Sequence, residues 1–333
     1  MYTLLESKAP AYGFRDRLSA EFPSQLIVDA TEVCNLACVH CPHPEFKLSE
    51  HYAGRSLEPE LNAKLVDEVR RHGQGLTQYI RYASSGEPLT HKFIFEMIEY
   101  AVRNSGVAVT LTTNGKTLDE RRAERLLNTG LDVVDISLDA FSPETYASIR
   151  IGGNLNVTRA NVLNLIEKSR RNPGKTKIVV SYVEQPLNRG ETGDFERFWN
   201  DHGADHVVIR RLHSASGAKT ELAELQRIAA ALEGDGERRP CLYPWERIML
   251  GPRGDLTFCP SDWVHGSVIA DYRSTTIHET WQSEFYRNLR DAHLSNAFER
   301  HKFCGQCPDW KLTRWPGEGR SYANMIEEFK ETR

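Results

Sequence analysis

No apolar run in this chain of 333 residues approaches the length of a membrane span. The opening stretch, MYTLLESKAPAYGFRD, has no basic segment leading into an apolar one. Together these absences predict a cytoplasmic protein with neither anchor nor leader. A dominant charge is missing too: 42 Lys and Arg stand against 46 Asp and Glu, a net −4, so no overall field draws the chain to nucleic acid or to an anionic membrane. Internal repeats and low-complexity stretches are absent. Cysteine is scarce and odd in number, at seven. In a reducing compartment that count argues against a disulfide framework and for metal ligation. The remaining composition, 40% hydrophobic and 26% charged, is that of an ordinary globular protein, long enough for one large domain or a domain with a module.

Three of the seven cysteines, Cys34, Cys38 and Cys41, lie in the run VCNLACVHCPHP, shortly after the apolar Leu26-Ile27-Val28. Four thiolates normally hold a [4Fe–4S] cube. Three from one tight loop leave one iron open to a substrate or cofactor. Zinc motifs usually pair C-x2-C with a second such pair, and an x3 gap beside an x2 gap does not suit that pattern. The spacing C-x3-C-x2-C resembles the signature of the radical S-adenosylmethionine (SAM) superfamily, which implies that the open iron chelates the amino and carboxylate groups of SAM.

The other four, Cys241, Cys259, Cys304 and Cys307, fall in the last third, with C-x2-C in FCGQCPDW and Gly254 before Cys259 in GPRGDLTFC. A hairpin with a cysteine at each end, joined by a later pair, supplies four thiolates to a second cube, and a four-thiolate zinc site is the competing reading. The pattern resembles the twitch module, the shortened form of the SPASM extension of radical SAM enzymes, and its spacing is similar to that of the aminocyclitol dehydrogenases acting on 2-deoxy-scyllo-inosamine. The segment IHETWQSEFYRNLRDAHLS, with Trp281 and Arg290, resembles the helix that precedes the last cysteine pair in such modules.

Between the cysteine groups apolar, β-branched runs alternate with amphipathic stretches, the pattern of a parallel α/β fold. Strands are predicted near 25–30, 78–83, 107–112, 133–138, 176–183 and 206–211, and helices near 58–72, 92–104, 117–129, 156–171 and 191–201. Ser142-Pro143-Glu144 and Ser56-Leu57-Glu58-Pro59 mark two helix starts. Six βα units predict a partial (β/α)6 TIM-like barrel, with chemistry at the C-terminal strand ends, and a small C-terminal cluster-binding twitch module. The expected divisions are an N-terminal extension over 1–22, the barrel over 23–213, a linker and helix over 214–240, and the auxiliary module with a tail over 241–333.

The resemblance extends to the strand ends. Gly86-Glu87-Pro88 matches the last three residues of a GGEP motif, with Ser85 in place of the first glycine, which implies that backbone groups and the Glu87 carboxylate hold the SAM ammonium. Asn114, in TTNGKTL, shapes a turn first and the ligand site second. Ser137 and Asp139, alternating after the fourth strand, suit the ribose diol of SAM, although Asp139 equally fits a helix cap. Arg150 resembles an arginine near the SAM carboxylate, with a solvated helix end as the plainer reading. His40 stands where an aromatic residue near the adenine is usual.

Charges at the later strand ends, Glu184, Arg210, Arg211 and His213, are the candidates for binding substrate hydroxyls or phosphate, or for removing a hydroxyl proton; simple rim charges are the alternative. Alternation allows at most one of the two adjacent arginines to face the barrel interior. The cofactors implied are SAM and two [4Fe–4S] clusters, with an external donor such as flavodoxin or ferredoxin. The activity implied is generation of a 5′-deoxyadenosyl radical that abstracts hydrogen from substrate. Three plus four uses every cysteine, so no thiol remains to return a hydrogen atom, and a fully ligated second cluster suits an electron acceptor. Oxidation of a secondary alcohol on a sugar or aminocyclitol is therefore expected. Peptide crosslinking or thioether formation ranks second, because only 33 residues precede Cys34. A redox-neutral epimerase or lyase and a zinc-stapled binding protein are the remaining readings.

Overall fold

The computed structural model describes residues 21–83, 85–171, 176–233 and 238–312. Most of the expected N-terminal extension, the tail beyond residue 312 and part of the linker before Cys241 lie outside the described residues. Each predicted strand forms: β1 (Gln25–Val28), β3 (Tyr79–Tyr82), β4 (Ala108–Thr113), β5 (Val133–Ser137), β7 (Lys177–Glu184) and β8 (His206–Arg211). They pair in that order, all parallel, so the βα pattern of the sequence translates directly into neighbours in one sheet. Two short strands that were not foreseen, β2 (Ala37–Cys38) and β6 (Arg150–Ile151), pair antiparallel beside the barrel.

The helices α2 (Pro59–His72), α3 (Ile94–Asn104), α4 (Glu120–Asn128), α6 (Leu155–Arg171) and α7 (Thr192–Asp201) match the predicted ones within a few residues. Capping explains where several of these elements start. Asp119 accepts from the Arg122 amide at the head of α4, and Ser142 accepts from the Thr145 amide before the short α5 (Pro143–Ile149). Among the described residues no helix is long and apolar enough to cross a membrane.

The sheet does not end at β1. The strand β9 (Arg247–Leu250) pairs parallel with the other edge of β1, Gln25 beside Arg247 and Val28 beside Leu250. It then turns antiparallel into β10 (Asp255–Thr257) and β11 (Val268–Asp271). The turn runs through Gly254, whose φ of +81° belongs to the left-handed region. Behind this hairpin lie α10 (Ile277–Trp281), α11 (Glu284–Ser295) and α12 (Lys302–Gly305). The single helix expected over 277–295 is thus two, because Ser283 stops one and caps the next by accepting from the Tyr286 amide.

Strand alternation divides the core in two. Leu26, Ile80, Val109, Val134 and Val180 face outward into the large cluster shared with the helices. Ile27, Tyr79, Ala108, Val133, Val179 and Met249 face inward and close the barrel with a small apolar floor. One inward position further along, toward the C-terminal ends, stand Arg81, Thr110, Asp135, Ser181 and Arg210. The lumen above the floor is polar.

Candidate active site

The loop after β1 carries Cys34, enters β2 with Cys38 and turns back at Cys41, whose amide donates to the Cys38 carbonyl at 3.1 Å. The His43 amide donates to Cys41 Sγ at 3.5 Å, and the His43 ring bonds the Glu32 carbonyl at 2.8 Å. Glu32 is buried and accepts from the Ala53 and Arg55 amides, both at 2.9 Å, so the loop is braced from two sides.

The Gly86-Glu87-Pro88 turn supports the loop from below. The Glu87 amide donates to the Val33 carbonyl at 2.9 Å, and Thr90 Oγ1 donates to the same carbonyl at 3.1 Å. A Cβ on Gly86 would lie 2.1 Å from the Thr31 carbonyl oxygen and 2.6 Å from that of Val33, so only glycine permits the approach. The Glu87 carboxylate does not reach toward an open ligand position. It accepts from Thr113 Oγ1 at 2.6 Å, the Asn114 amide at 2.8 Å and the Leu89 amide at 3.1 Å. Burial pushes its carboxyl upward against these bonds. The expectation that Glu87 pairs with the SAM ammonium is corrected accordingly: three internal donors already occupy it, and it ties the end of β3 to the end of β4. Asn114 continues the brace by donating to Asn35 Oδ1 at 2.7 Å, and Lys116 bridges the carbonyls of Asn35 and Gly152 at 3.1 and 2.7 Å.

Arg150, Asp139 and His40 meet on the other side of the cysteines. Cys38 and Arg150 are register partners across the β2–β6 pair. Arg150 donates to Asp139 Oδ2 at 2.5 Å, and both side chains are buried, so the reading of Arg150 as a solvated helix end is set aside. Asp139 adopts a left-handed φ of +61° and accepts from the Val183 amide at 2.7 Å. Both its oxygens are thereby engaged, and neither it nor Arg150 is a free surface charge. The His40 ring stands 3.5 Å from the same carboxylate, and Gln185 Nε2 donates to it at 3.4 Å. Burial pushes His40 down to about 4, against the pull of Asp139, which keeps the ring neutral. Ser137 ends β5 half-buried, facing the lumen.

The thiols fit an iron–sulfur group. Burial pushes Cys34 up to about 11 and Cys41 up to about 12, and raises Cys38 as well, so each proton leaves only if a cation replaces it. Two buried donors beside them, Arg150 Nε and Asn35 Nδ2, bond nothing among the described residues and suit an anionic ligand such as the SAM carboxylate. In the C-terminal part, Cys304 lies in electrostatic range of Cys241, Cys259 and Cys307. Arg238 donates to the Cys304 carbonyl at 2.6 Å, and Arg290 is buried 4.6 Å from the Trp281 ring centre. The segment following β8 reaches this group: Ser216 Oγ is 3.6 Å from Cys259 Sγ, and Asp309 accepts from the Ser214 and Ser216 amides at 3.0 and 2.6 Å.

The strand-end charges separate by parity. Arg210 faces inward and grips Asp135 at 2.6 Å. Glu184 turns outward to Thr192 and Arg189, and Arg211 is exposed on the outer side; neither reaches the lumen, which corrects their candidacy for substrate contact. His213 sits half-exposed at the seam, 4.0 Å from Asp309. Tyr182 also faces outward and donates to the Asn188 carbonyl. Sequence reasoning missed Arg81, Asp135 and Asp29. Their signal was a lone charge at an inward position of an otherwise apolar strand.

Asp29, just past β1, is bonded by the Ser85 hydroxyl and by its amide at 3.3 Å. Burial pushes its carboxyl up to about 7 despite those bonds. It borders a small cleft with Met249, Gly251 and Trp263, between the mouth of the barrel and the hairpin.

A family model described as the radical SAM superfamily matches residues 28–195, and one described as an iron–sulfur cluster-binding domain matches residues 241–308. A probable GTP 3′,8-cyclase of Methanococcus maripaludis is 34% identical over 46% of this chain and 48% of its own length, so the chain aligns with about half of that relative. The mycofactocin maturase of Mycolicibacterium smegmatis is 24% identical over 88% of this chain and 77% of its own. Among solved structures, BtrN in complex with AdoMet and 2-DOIA superposes with a TM-score of 0.58 at 14% identity, covering 90% of this chain and 97% of that one. Streptococcus suis SuiB bound to precursor peptide SuiA gives 0.62 at 15% identity, covering 95% and 75%.

Proposed function

The chain belongs to the radical SAM superfamily and ends in an iron–sulfur cluster-binding module; we propose that it oxidises a secondary alcohol of a sugar or aminocyclitol by two electrons. When bound, SAM and the first [4Fe–4S] cluster supply one-electron chemistry for removing hydrogen from an unactivated C–H bond, and the auxiliary cluster supplies an electron acceptor.

The division of the thiols carries the proposal. On this reading Cys34, Cys38 and Cys41 hold one group and Cys241, Cys259, Cys304 and Cys307 the other, which leaves none of the seven to return a hydrogen atom. Tyr182, the tyrosine of β7, points away as well. Arg150 and Asn35 orient the SAM carboxylate, while His40 and Gln185 line the side where an adenine would lie. Asp29 is the carboxyl placed to take the hydroxyl proton, since it faces the lumen at the end of β1 and burial pushes its carboxyl up to about 7. A substrate alcohol between Asp29 and the floor lies on the side of the barrel that the auxiliary hairpin covers.

The test is anaerobic turnover of reconstituted protein with SAM, a reductant and candidate sugars or aminocyclitols. The expected product is two mass units lighter, takes up deuterium from borodeuteride as a ketone does, and forms at one SAM consumed each. A product of unchanged mass carrying solvent deuterium at carbon indicates an epimerase and overturns the proposal. Peptide modification is the second reading, supported by the length of the maturase likeness, and predicts turnover only when a peptide is supplied.

A further inference from the structure

The chain leaves β8 through a turn suited to glycine but built mostly without it. Ala215, Ser216 and Gly217 follow one another at φ of +53°, +58° and +99°, all in the left-handed region. Gly217 meets that demand, whereas Ala215 and Ser216 carry side chains where these are disfavoured. The turn is held from several sides. The Asp309 carboxylate accepts from the Ser214 and Ser216 amides at 3.0 and 2.6 Å. Ser214 Oγ accepts from the Gly217 amide at 3.0 Å, and the Ser214 carbonyl accepts from the Lys219 amide at 2.9 Å. Ser214 and Ala215 are buried. A connection that only joined β8 to the next helix, Thr220–Glu233, would have no use for a serine in this conformation.

The conformation places one hydroxyl. Ser216 Oγ lies 3.6 Å from Cys259 Sγ, and the same hydroxyl acts on Cys307. A thiolate has no proton to give, so with the second cluster bound the serine is the donor. Reduction adds negative charge to a cluster and its thiolates. A hydrogen bond to sulfur strengthens with that charge, so the donor favours the reduced form. Of the charges in range of Cys307, Arg238 favours the reduced form and Asp309 opposes it. These two offset each other, and the hydroxyl acts in one direction only.

We propose that Ser216 tunes the second cluster, its hydroxyl raising the reduction potential. The substrate radical, on becoming a ketone, releases its hydroxyl proton and one electron, and that electron then passes to the cluster. This rests on the reading of that cluster as the electron acceptor, but the test reads a potential and requires no turnover. Reconstituted protein, with SAM bound so that the two clusters give separate signals, is taken through an anaerobic redox titration followed by electron paramagnetic resonance. Ser216→Ala and Ser216→Gly are both expected to move the second couple toward the oxidised form by about tenfold, which is about 59 mV for one electron, and to leave the first unmoved. Alanine keeps the backbone strain and glycine relieves it, so a shift common to both belongs to the hydroxyl. Unshifted potentials in both variants, or a shift in only one of two loaded variants, overturn the proposal. Iron analysis checks loading. Should Ser216→Ala lose the second cluster, Ser216→Gly decides; loss from both assigns the serine to folding and overturns its tuning role. A shifted potential without oxidised product in the wild type removes the proposed reaction alone, and oxidised product with no shift removes this inference alone.

Discussion

Asp29 shows how one residue's surroundings set its chemistry. Ser85, which replaces the usual glycine of the turn after β3, bonds this buried carboxyl, yet burial still moves it from 3.8 to about 7. Between those values the folded chain keeps a proton that the unfolded chain has released. Stability therefore falls as pH rises from about 4 to about 7 and levels off above, by up to roughly 4 kcal/mol from this group. Asp29→Asn removes that contribution. Thermal unfolding between pH 5 and 8 is expected to show a smaller decline in the variant than in the wild type, and equal declines would place the pH dependence elsewhere. Glu87 calls for the opposite experiment. With three internal donors on its carboxylate, Glu87→Gln is expected to cost about 1–3 kcal/mol of stability while changing the SAM dissociation constant less than tenfold. A large loss of SAM affinity with unchanged stability would restore the role in ammonium binding that the GEP motif suggested.

At the scale of elements, Gly86 governs the fit between the β3 turn and the cysteine loop. Gly86→Ala drives a Cβ into two backbone oxygens that cannot rotate away. The loop must then shift, and iron analysis is expected to show loss from the first site with the C-terminal group retained, about half the wild-type content. Unaltered iron content and SAM cleavage in this variant would mean that the turn yields without cost. The six barrel strands and five of the helices were legible because apolar alternation, helical periodicity and caps such as Ser142 agree along the chain. The strands β2 and β6 were not, since two residues carry no periodicity, and Arg150 consequently read as a surface charge. The strand-end candidates divided for a related reason. Parity predicted that only one of Arg210 and Arg211 enters the lumen, but Glu184 was considered without its parity and lies outside.

For the whole molecule, the two cysteine groups make separable contributions. Replacing Cys34, Cys38 and Cys41 together by Ala is expected to abolish SAM cleavage. Replacing Cys304 and Cys307 by Ala leaves the first site intact, so 5′-deoxyadenosine formation persists in part while oxidised product falls much further. Quantifying both products by mass spectrometry checks this, and a parallel fall of the two would deny the second group its role as electron acceptor. The distribution of cysteines made this division readable from the sequence. The ties that join the halves were not readable, because Asp309 meets the Ser214 and Ser216 amides from far along the chain and nothing local announces the contact.

The pairing of β9 with β1 also bears on handling and survival. The first strand of the barrel owes the cover of one flank to residues 247–250, which reside in the part of the chain that metal helps to fold. Air that destroys the second cluster would loosen that cover and bare a row of amides and carbonyls on a buried, apolar strand, an open template for self-association. Oxygen damage in this protein should therefore register as turbidity as well as bleaching.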